Sequence, residues 1–261
     1  MPISGRTRVL VIIGDPIAQA RAPGLVNAAL AERGIDAVMV PLRVPARELA
    51  PVVAGWRAVE NLVGAVVTMP HKSTVVSLLD ELTPEARAVG ACNAVRREPD
   101  GRLVGALFDG EGFVAGLREA GHDVGGKRVL LLGAGGAASA IAFALAKHGV
   151  RAITIRNRSA ARAATLADRI RSAWPDVEVD TAAGTAGHEL VVNATSLGMR
   201  ADDSLPVDPD ALRARPIVAD VVISAEPTPL LAEAARRGCV VHPGLPMLTA
   251  QIHAILDFVR L

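Results

Sequence analysis

Lys72 has the chemistry needed to move a proton. It lies in VTMPHK (67–72), directly after an apolar run, and it is one of three lysines in a chain with 25 arginines. An ammonium can give up its proton when it is buried, whereas a guanidinium cannot, so a lysine chosen at this position favours acid–base catalysis. The alternative interpretation is an ordinary lysine in the first turn of a helix.

Asp109 is the second catalytic candidate, in FDGEG (108–112) between a strand and the start of a helix. Its carboxylate could pair with Lys72 and a substrate hydroxyl, or it could simply cap the helix, and the residues alone favour the cap. His71 is interpreted as structural, because no histidine has a partner at metal-ligand spacing. Cys92 and Cys239 form no CxxC or CxxH motif, so neither a metal site nor a disulfide framework is predicted.

A glycine-rich turn points to a nucleotide. The sequence GAGGAA follows the apolar run KRVLLL and opens a helical segment, which gives G-x-G-x-x-A in the context that dinucleotide binding requires. Gly133 permits the tight turn, Gly135 lets a pyrophosphate approach the backbone, and the helix N-terminus offers free N–H groups. A turn that merely packs a helix on a strand is the alternative. The predicted cofactor residues here are Gly133, Ala134, Gly135, Gly136, Ala137 and Ala138.

The end of the next strand, RAITIRN, predicts which dinucleotide binds. An NAD-selective site places an acidic residue here against the ribose 2′-hydroxyl. This chain has Asn157, Arg158 and Ser159, with Arg162 one turn further on. Two guanidiniums suit a 2′-phosphate, so the prediction is NADP, unless both arginines are solvated surface charge.

The wider pattern must position these residues. Strand-like runs alternate with helical segments, which predicts an α/β protein with parallel sheets covered by helices. The first part shows strands RVLVII, AVMVPLRV, GAVVTM and CNAVRR, and helices near 23–33, 46–57 and 73–79. Helices are also predicted at 110–120 and 246–260. From Lys127 the pattern restarts as a doubly wound Rossmann domain.

Composition excludes several classes of function. The chain has 261 residues, 51% hydrophobic and 2% aromatic, with a net charge of +1, so neither nucleic acid nor a membrane surface is an expected partner. The uncharged stretch 129–146 is cut by glycines into pieces too short to span a bilayer. With two cysteines and no signal-like N-terminus, a cytoplasmic protein is expected.

The order of motifs resembles the shikimate dehydrogenase family (shikimate/quinate dehydrogenase-like) along essentially the whole chain. The matching segments are GDPIxxxxAPxxxN (14–27), VTMPHK, GACNAV (90–95), DGEG (109–112), GAGGAA, NRS (157–159), NATSLGM (193–199), TPLL (228–231) and PGLPMLTAQ (243–251).

The resemblance implies a substrate-binding catalytic domain, an open α/β domain of residues 1–105 with the C-terminal helix 244–261. It implies a Rossmann NADP-binding domain of residues 106–243, with substrate in the intervening cleft. The implied reaction is reversible hydride transfer between NADPH and a ring ketone, 3-dehydroshikimate or a close analogue. A small cyclic polyol or hydroxy acid is then the substrate, and the protein is expected to be a monomer or homodimer.

Individual roles follow from the resemblance. Lys72 and Asp109 resemble the family's catalytic pair, and Thr68, Asn93 and Gln251 resemble contacts to substrate hydroxyls. Besides the glycine-rich turn, the residues that fall on cofactor positions are Asn157, Arg158, Ser159, Arg162, Thr195, Val221 and Gly244.

The chain departs from the family where the substrate carboxylate is expected. Ala20 and Ala22 replace a Ser-x-Ser pair, which predicts that shikimate itself is a poor substrate. Arg21 between them could hold a carboxylate, but on an extended segment it should point to the opposite side. The other replacements are Val66 for an asparagine, Leu107-Phe108 for Asn-Thr, and Ile223 for a tyrosine.

Two rival interpretations remain. One is a paralogous dehydrogenase for quinate, an amino-shikimate analogue or another cyclic polyol. The other is a non-catalytic protein that senses NADPH, against which the retention of Lys72 and Asp109 argues.

Overall fold

Residues 2–200 and 202–261 are described by a computed structural model, in which the first part of the chain builds a six-stranded sheet. Its strands run in the order β2-β1-β3-β5-β6-β4. They are β1 (Arg8–Gly14), β2 (Ala37–Arg43), β3 (Leu62–Val67), β4 (Glu81–Leu82), β5 (Ala94–Arg97) and β6 (Leu103–Ala106).

The expectation of parallel strands holds for β1 to β3 and is wrong for β5. Strand β5 runs antiparallel to both β3 and β6. Residues 98–102 form a tight turn between β5 and β6, with Gly101 at a φ of 85°. Such a connection is too short for a crossover helix, so the two strands must be antiparallel.

Three α-helices accompany this sheet in the described residues: α1 (Ala22–Glu32), α2 (Leu49–Trp56) and α3 (Pro84–Val89). The helix expected near 73–79 is instead a short 3₁₀ helix, Val75–Leu78. Its two adjacent valines are β-branched and follow Ser73 and Thr74, which are also weak α-helix formers. The segment after Lys72 is therefore a tight loop rather than a regular helix.

The second part of the chain forms a parallel sheet in the order β12-β11-β10-β7-β8-β9. This is the doubly wound order, whose switch point lies between β7 and β10. Its elements are α4 (Asp109–Glu119), β7 (Arg128–Leu132), α5 (Gly136–Lys147), β8 (Ala152–Arg156), α6 (Ala160–Ala173), β9 (Glu178–Asp180), β10 (Leu190–Asn193), β11 (Ile217–Asp220), α7 (Pro229–Arg236) and β12 (Val240–His242). The predicted α/β fold with a Rossmann half is confirmed.

Two compact units result. One comprises the chain up to Phe108 together with Gln251–Leu261, and the other is Asp109–Ala250. The predicted ranges 1–105, 106–243 and 244–261 end a few residues away, and they include residues 1 and 201, which lie outside the described residues. Which ligand each unit binds stays a prediction at this point.

Helix α8 (Leu245–Phe258) contributes its first turns to the second unit and, from Gln251 onward, the rest to the first. In the described ranges, no helix combines the length and the apolar character needed to cross a membrane.

Candidate functional site

The glycine-rich turn after β7 has the geometry of a phosphate cradle. Gly133 has a φ of +116°, and a Cβ there would lie 2.8 Å from the Ala194 carbonyl oxygen, so only glycine fits. A Cβ on Gly135 would meet no atom within 4 Å, which leaves open space above the backbone. Helix α5 begins at the next residue with no side-chain cap at Gly135. These features fit a pyrophosphate at the helix N-terminus.

The other turn residues line the same start of α5. Ala134, Gly136 and Ala137 are half-buried, and Ala138 is fully buried against the sheet. The backbone N–H of Gly133 donates to the Arg156 carbonyl at 2.7 Å, so the turn is fixed beside the end of β8.

The segment after β8 presents two arginines. The Asn157 Nδ2 donates to the Ser159 carbonyl at 3.0 Å, and Ser159 caps α6 by accepting from the Arg162 N–H at 3.4 Å. Arg158 and Arg162 are exposed at this helix start. Since β8 neighbours β7, both arginines follow the strand next to the glycine-rich turn, and their contact with a 2′-phosphate stays a prediction.

The remaining cofactor candidates, Thr195, Val221 and Gly244, lie just after the carboxyl ends of β10, β11 and β12. Thr195 follows Ala194, whose carbonyl oxygen would lie 2.8 Å from a Cβ at Gly133. A Cβ on Gly244 would lie 2.7 Å from the Val221 carbonyl oxygen, so Gly244 and Val221 are in direct contact. The second unit thus brings Thr195 close to the glycine-rich turn and Gly244 close to Val221, along one edge of the sheet.

Lys72 lies in the first unit, close to two other candidates. The Cys92 N–H donates to the Lys72 carbonyl at 2.8 Å, and the Val67 N–H donates to the Asn93 carbonyl at 2.9 Å. The loop after β3, which carries Thr68 and Lys72, therefore runs beside the segment entering β5. Both Thr68 and Lys72 are half-buried.

Asn93 and Gln251 are buried and bonded to each other. The Asn93 Nδ2 donates to Gln251 Oε1 at 2.8 Å, while Asn93 Oδ1 accepts from the Phe108 N–H at 2.9 Å. Asn93 therefore fixes both the side chain of Gln251 and the backbone that leads into Asp109. Asp109 itself is 3% exposed and is the first residue of α4, in the second unit. Its pairing with Lys72 stays a prediction.

His71 holds the Lys72 loop in place. It is 1% exposed, and its Nε2 donates to the Val44 carbonyl at 2.7 Å, because a carbonyl oxygen can only accept. The Val44 N–H in turn donates to the Gly14 carbonyl, which ties the loop to the end of β1. This is the structural role that its sequence context suggested.

The alanines at the expected carboxylate position are shielded from solvent to different degrees. Ala22 is buried, Ala20 is half-buried and Arg21 is exposed. The expectation of an extended segment is wrong, because Arg21 has helical angles (φ −89°, ψ −17°) as the N-cap of α1. Pro23 in the first turn favours helix initiation here.

Two other departures, at Val66 and Phe108, are absorbed into packing. Val66 is buried in β3 between Ile12 and Ala94, and the Phe108 ring packs edge-on against Phe258 at 5.6 Å between centroids. Ile223, where a tyrosine is expected, is exposed. Phe108 therefore stabilises the attachment of α8 to the first unit.

Three polar residues of the second unit, Asn193, Asp220 and Thr228, were given no role from the sequence, although the quoted motifs NATSLGM and TPLL contain two of them. They are fully buried and linked by hydrogen bonds. Asn193 and Asp220 are register partners that end β10 and β11. The available signal was a polar residue closing each of two apolar strands. Among the described residues, no group of three or more His, Cys, Asp or Glu is arranged to hold a metal ion.

The doubly wound sheet and the glycine-rich turn place the chain in the class of dinucleotide-binding α/β proteins. Comparison with known families then narrows the class. Residues 12–95 match the family described as shikimate dehydrogenase substrate binding domain, and residues 117–197 match shikimate / quinate 5-dehydrogenase. The chain belongs to the shikimate dehydrogenase family, as its motifs predicted.

Individual relatives cover nearly the whole chain. Shikimate dehydrogenase (NADP(+)) of Rubrobacter xylanophilus is 42% identical over 95% of this chain and 89% of the relative. Shikimate 5-dehydrogenase of Thermus thermophilus, solved in complex with NADP(H) and shikimate, has a TM-score of 0.88 at 29% identity, over 97% and 93% of the two chains. The ligand-free 5-ketofructose reductase of Gluconobacter sp. strain CHM43 has a TM-score of 0.84 at 34% identity, over 98% and 93%.

Proposed function

We propose that this protein is an NADP-dependent oxidoreductase of the shikimate dehydrogenase type, which interconverts 3-dehydroshikimate, or a close analogue, and the corresponding ring alcohol. The observation that carries the proposal is the retention of Lys72, half-buried on the loop beside Thr68 and Asn93, in a chain of this family.

The cofactor is held by the second unit. The open backbone at Gly135 and the uncapped start of α5 receive the pyrophosphate, and Arg158 and Arg162 bind the 2′-phosphate. Thr195, Val221 and Gly244 line the other half of the dinucleotide. When bound, the reduced cofactor supplies the hydride that the carbonyl carbon of the substrate accepts.

Lys72 transfers the proton. As the substrate carbonyl is reduced, its oxygen takes a proton from the Lys72 ammonium, and in the reverse direction the neutral amine accepts the hydroxyl proton. Asp109 is the residue proposed to orient that hydroxyl. Thr68, Asn93 and Gln251 bind the other ring hydroxyls, and the Asn93–Gln251 hydrogen bond presets two of these side chains.

The family fold does not by itself choose the substrate, since it is shared by shikimate dehydrogenases and by 5-ketofructose reductase. In this chain Ala20 and Ala22 offer no hydroxyl to a carboxylate. The proposed substrate is therefore a ring ketone recognised mainly through its hydroxyls, with the shikimate pair as the reference reaction. The protein is further proposed to be cytoplasmic and to act as a monomer or homodimer.

A substrate panel tests the function. Purified protein with NADP⁺ is mixed with shikimate, with quinate and with uncharged cyclic polyols, and formation of reduced nicotinamide is followed by absorbance. We expect turnover with at least one compound, and turnover lowered about 100-fold or more in a Lys72→Ala variant. NADPH binding without turnover on any compound would instead favour the sensor interpretation.

A further inference from the structure

Asp220 is a buried carboxylate for which the proposed mechanism has no use. It ends β11 and is 1% exposed. Its Oδ1 accepts from Asn193 Nδ2 at 3.1 Å and from the Val222 N–H at 2.9 Å, and its Oδ2 accepts from Thr228 Oγ1 at 2.8 Å. All three donors are neutral. Since burying a carboxylate costs free energy, these three hydrogen bonds are needed to offset that cost, and they fix the groups that donate them.

The first arm of this network fixes the loop after β10. Asn193 Nδ2 also donates to the Leu197 carbonyl at 2.9 Å, and Asn193 Oδ1 accepts from the Thr195 N–H and hydroxyl at 3.1 and 2.7 Å. The Thr195 hydroxyl oxygen then accepts from the Leu197 N–H at 3.1 Å. The Asn193 amide therefore bonds both to residues 195–197 and to the carboxylate, so Asp220 anchors the side chain that shapes this loop.

The second arm fixes the loop after β11 at both of its ends. Val222 bonds Asp220 at the start of this loop. Thr228 bonds Asp220 at its end, and the same hydroxyl oxygen caps α7 by accepting from the Leu231 N–H at 3.3 Å. The Thr228 hydroxyl accepts from the Leu231 N–H through a lone pair and donates its own proton to Asp220 Oδ2. Gly244 packs on the carbonyls of Val221 and Val222, so this loop also sets the approach of residue 244.

Both loops lie where the second half of a dinucleotide is expected. Strand β8, which is followed by Arg158 and Arg162, is on one side of β7, whereas β10 and β11 are on the other. A dinucleotide spans this switch point, with its 2′-phosphate at β8 and its nicotinamide half over β10 and β11. Thr195 and Val221, one from each loop, then face that half.

We propose that Asp220 is a positioning residue which, as a carboxylate, holds the two loops in the shape that receives the nicotinamide half of NADP, without touching the cofactor. The inference rests on the proposed function. It separates two contributions to cofactor affinity: Arg158 and Arg162 bind the adenosine half, and the Asp220 network prepares the site for the other half.

The test compares a whole cofactor with a fragment. NADPH and 2′,5′-ADP, which carries only the adenosine half, are titrated against the full chain as wild type and as Asp220→Asn. The amide offers one acceptor oxygen and turns an N–H₂ toward a donor. We expect NADPH affinity to fall about tenfold or more and 2′,5′-ADP affinity to stay within about twofold.

Asp180→Asn is the control, because Asp180 also ends a strand and accepts from two backbone N–H groups, of Ala182 and Ala183, but is exposed.

A milder pair of variants covers the case in which Asp220→Asn does not fold. Thr228→Val removes the hydroxyl while keeping the shape, and Thr228→Ser restores it. We expect Thr228→Val to weaken the binding of NADPH but not of 2′,5′-ADP, and Thr228→Ser to recover most of the lost NADPH affinity.

Unchanged NADPH affinity in Asp220→Asn and Thr228→Val, or an equal loss of affinity for both ligands, would overturn the proposal. If the wild type binds 2′,5′-ADP no more weakly than NADPH, the premise of a nicotinamide subsite is lost; if it shows no turnover on the panel, only the proposed activity is in doubt.

Discussion

The two units carry their candidate sites in different ways. In the second unit most of the proposed cofactor positions depend on backbone: an open glycine, the start of a helix, and two loops tied to Asn193 and Asp220 by hydrogen bonds, with Arg158 and Arg162 as the side-chain exceptions. In the first unit the substrate positions depend on individual side chains, of which Thr68, Asn93 and Gln251 are polar whereas Ala20, Ala22 and Val66 are not. Backbone features tolerate many sequences, but a side-chain contact is gained or lost with one residue. We therefore expect cofactor binding to follow the family closely and substrate choice to deviate from it.

The largest expected effect concerns the two alanines. Each missing hydrogen bond to a carboxylate costs about 1.5 to 3 kcal/mol, so shikimate should be turned over about 100-fold to 10,000-fold less efficiently than with two hydroxyl donors. We expect the kcat/KM of the wild type for shikimate to lie below about 10⁵ M⁻¹s⁻¹ and to rise in an Ala20→Ser/Ala22→Ser variant. Ala18→Ser, an exposed change in the same loop, is the control.

A wild-type kcat/KM for shikimate at or above about 10⁵ M⁻¹s⁻¹ would show that substrate choice follows the family as closely as cofactor binding does. If Arg21→Ala then caused a large further loss, the arginine has replaced the missing donors. Arg21 was expected to point away from the alanines because the segment was expected to be extended. Since Arg21 instead has the helical angles of an N-cap, that argument no longer holds and the variant must be measured.

The next effect concerns Lys72. Lys72→Ala should lower turnover about 100-fold or more, the usual contribution of a positioned acid or base, while the Kd for NADPH stays nearly constant. Steady-state kinetics on the best substrate and a binding titration measure the two quantities. Lys127→Ala serves as control, since Lys127 precedes β7 at the end of the sheet opposite to the glycine-rich turn. Wild-type turnover in Lys72→Ala would take this lysine out of the mechanism.

Cofactor selectivity should show a smaller effect. One charge-assisted contact to the 2′-phosphate contributes about 1.5 to 3 kcal/mol, so NADPH should bind at least about tenfold more tightly than NADH at moderate salt. Arg158→Ala and Arg162→Ala should each reduce this ratio, and Arg151→Ala, an exposed change just before β8, should not. Equal affinities of the wild type for the two cofactors would show that both arginines are ordinary surface charge.

The smallest effect concerns how the first unit holds α8. Glu98 is buried and pairs with Arg96 at 2.7 Å and Arg260 at 3.0 Å. The hydrogen bond from Arg96 keeps the pKa of the Glu98 carboxyl below its ordinary value. Glu98→Gln should lower the free energy of unfolding by about 1 kcal/mol at neutral pH, because Arg260 is largely exposed.

The pH dependence of this contribution has a defined sign. A carboxyl with a lowered pKa stabilises the fold above its unfolded pKa, and the stabilisation is lost as the pH falls through the folded pKa. Chemical denaturation from neutral to acidic pH should show the difference between wild type and Glu98→Gln shrinking with acid. A difference that is constant with pH would mean that the charge is irrelevant.

Much of the fold could be predicted because periodicity reports local structure. The elements of the second unit, the glycine-rich turn and the helix after it follow from residues close in sequence. The direction of β5 could not be read from its own residues, because it depends on the turn at 98–102. The 3₁₀ helix at Val75–Leu78 was missed because an apolar segment between strands resembles a helix.

The candidate site could also be predicted only where residue type and local sequence were enough. Lys72 and the arginines after β8 are conspicuous through residue type and context alone. The Asp220 network was not, since Asn193 and Asp220 are 27 positions apart and only the sheet register makes them neighbours. Asn93 was predicted to contact the substrate. Its hydrogen bond from the Phe108 N–H could not be predicted, because the two residues are 15 positions apart and only the folded chain makes them neighbours.

The division of α8 between the units has a consequence for synthesis. The first unit needs residues 251–261: Gln251 bonds Asn93, Arg260 pairs with Glu98, and Arg33 donates to the Leu261 carbonyl. On the ribosome, these residues emerge after all of Asp109–Ala250. Domains generally fold as units during translation, at about 5 to 20 residues per second. The unit that is translated first is therefore completed second, and its sheet must wait for about 150 residues, or roughly 8 to 30 s, before its closing helix arrives.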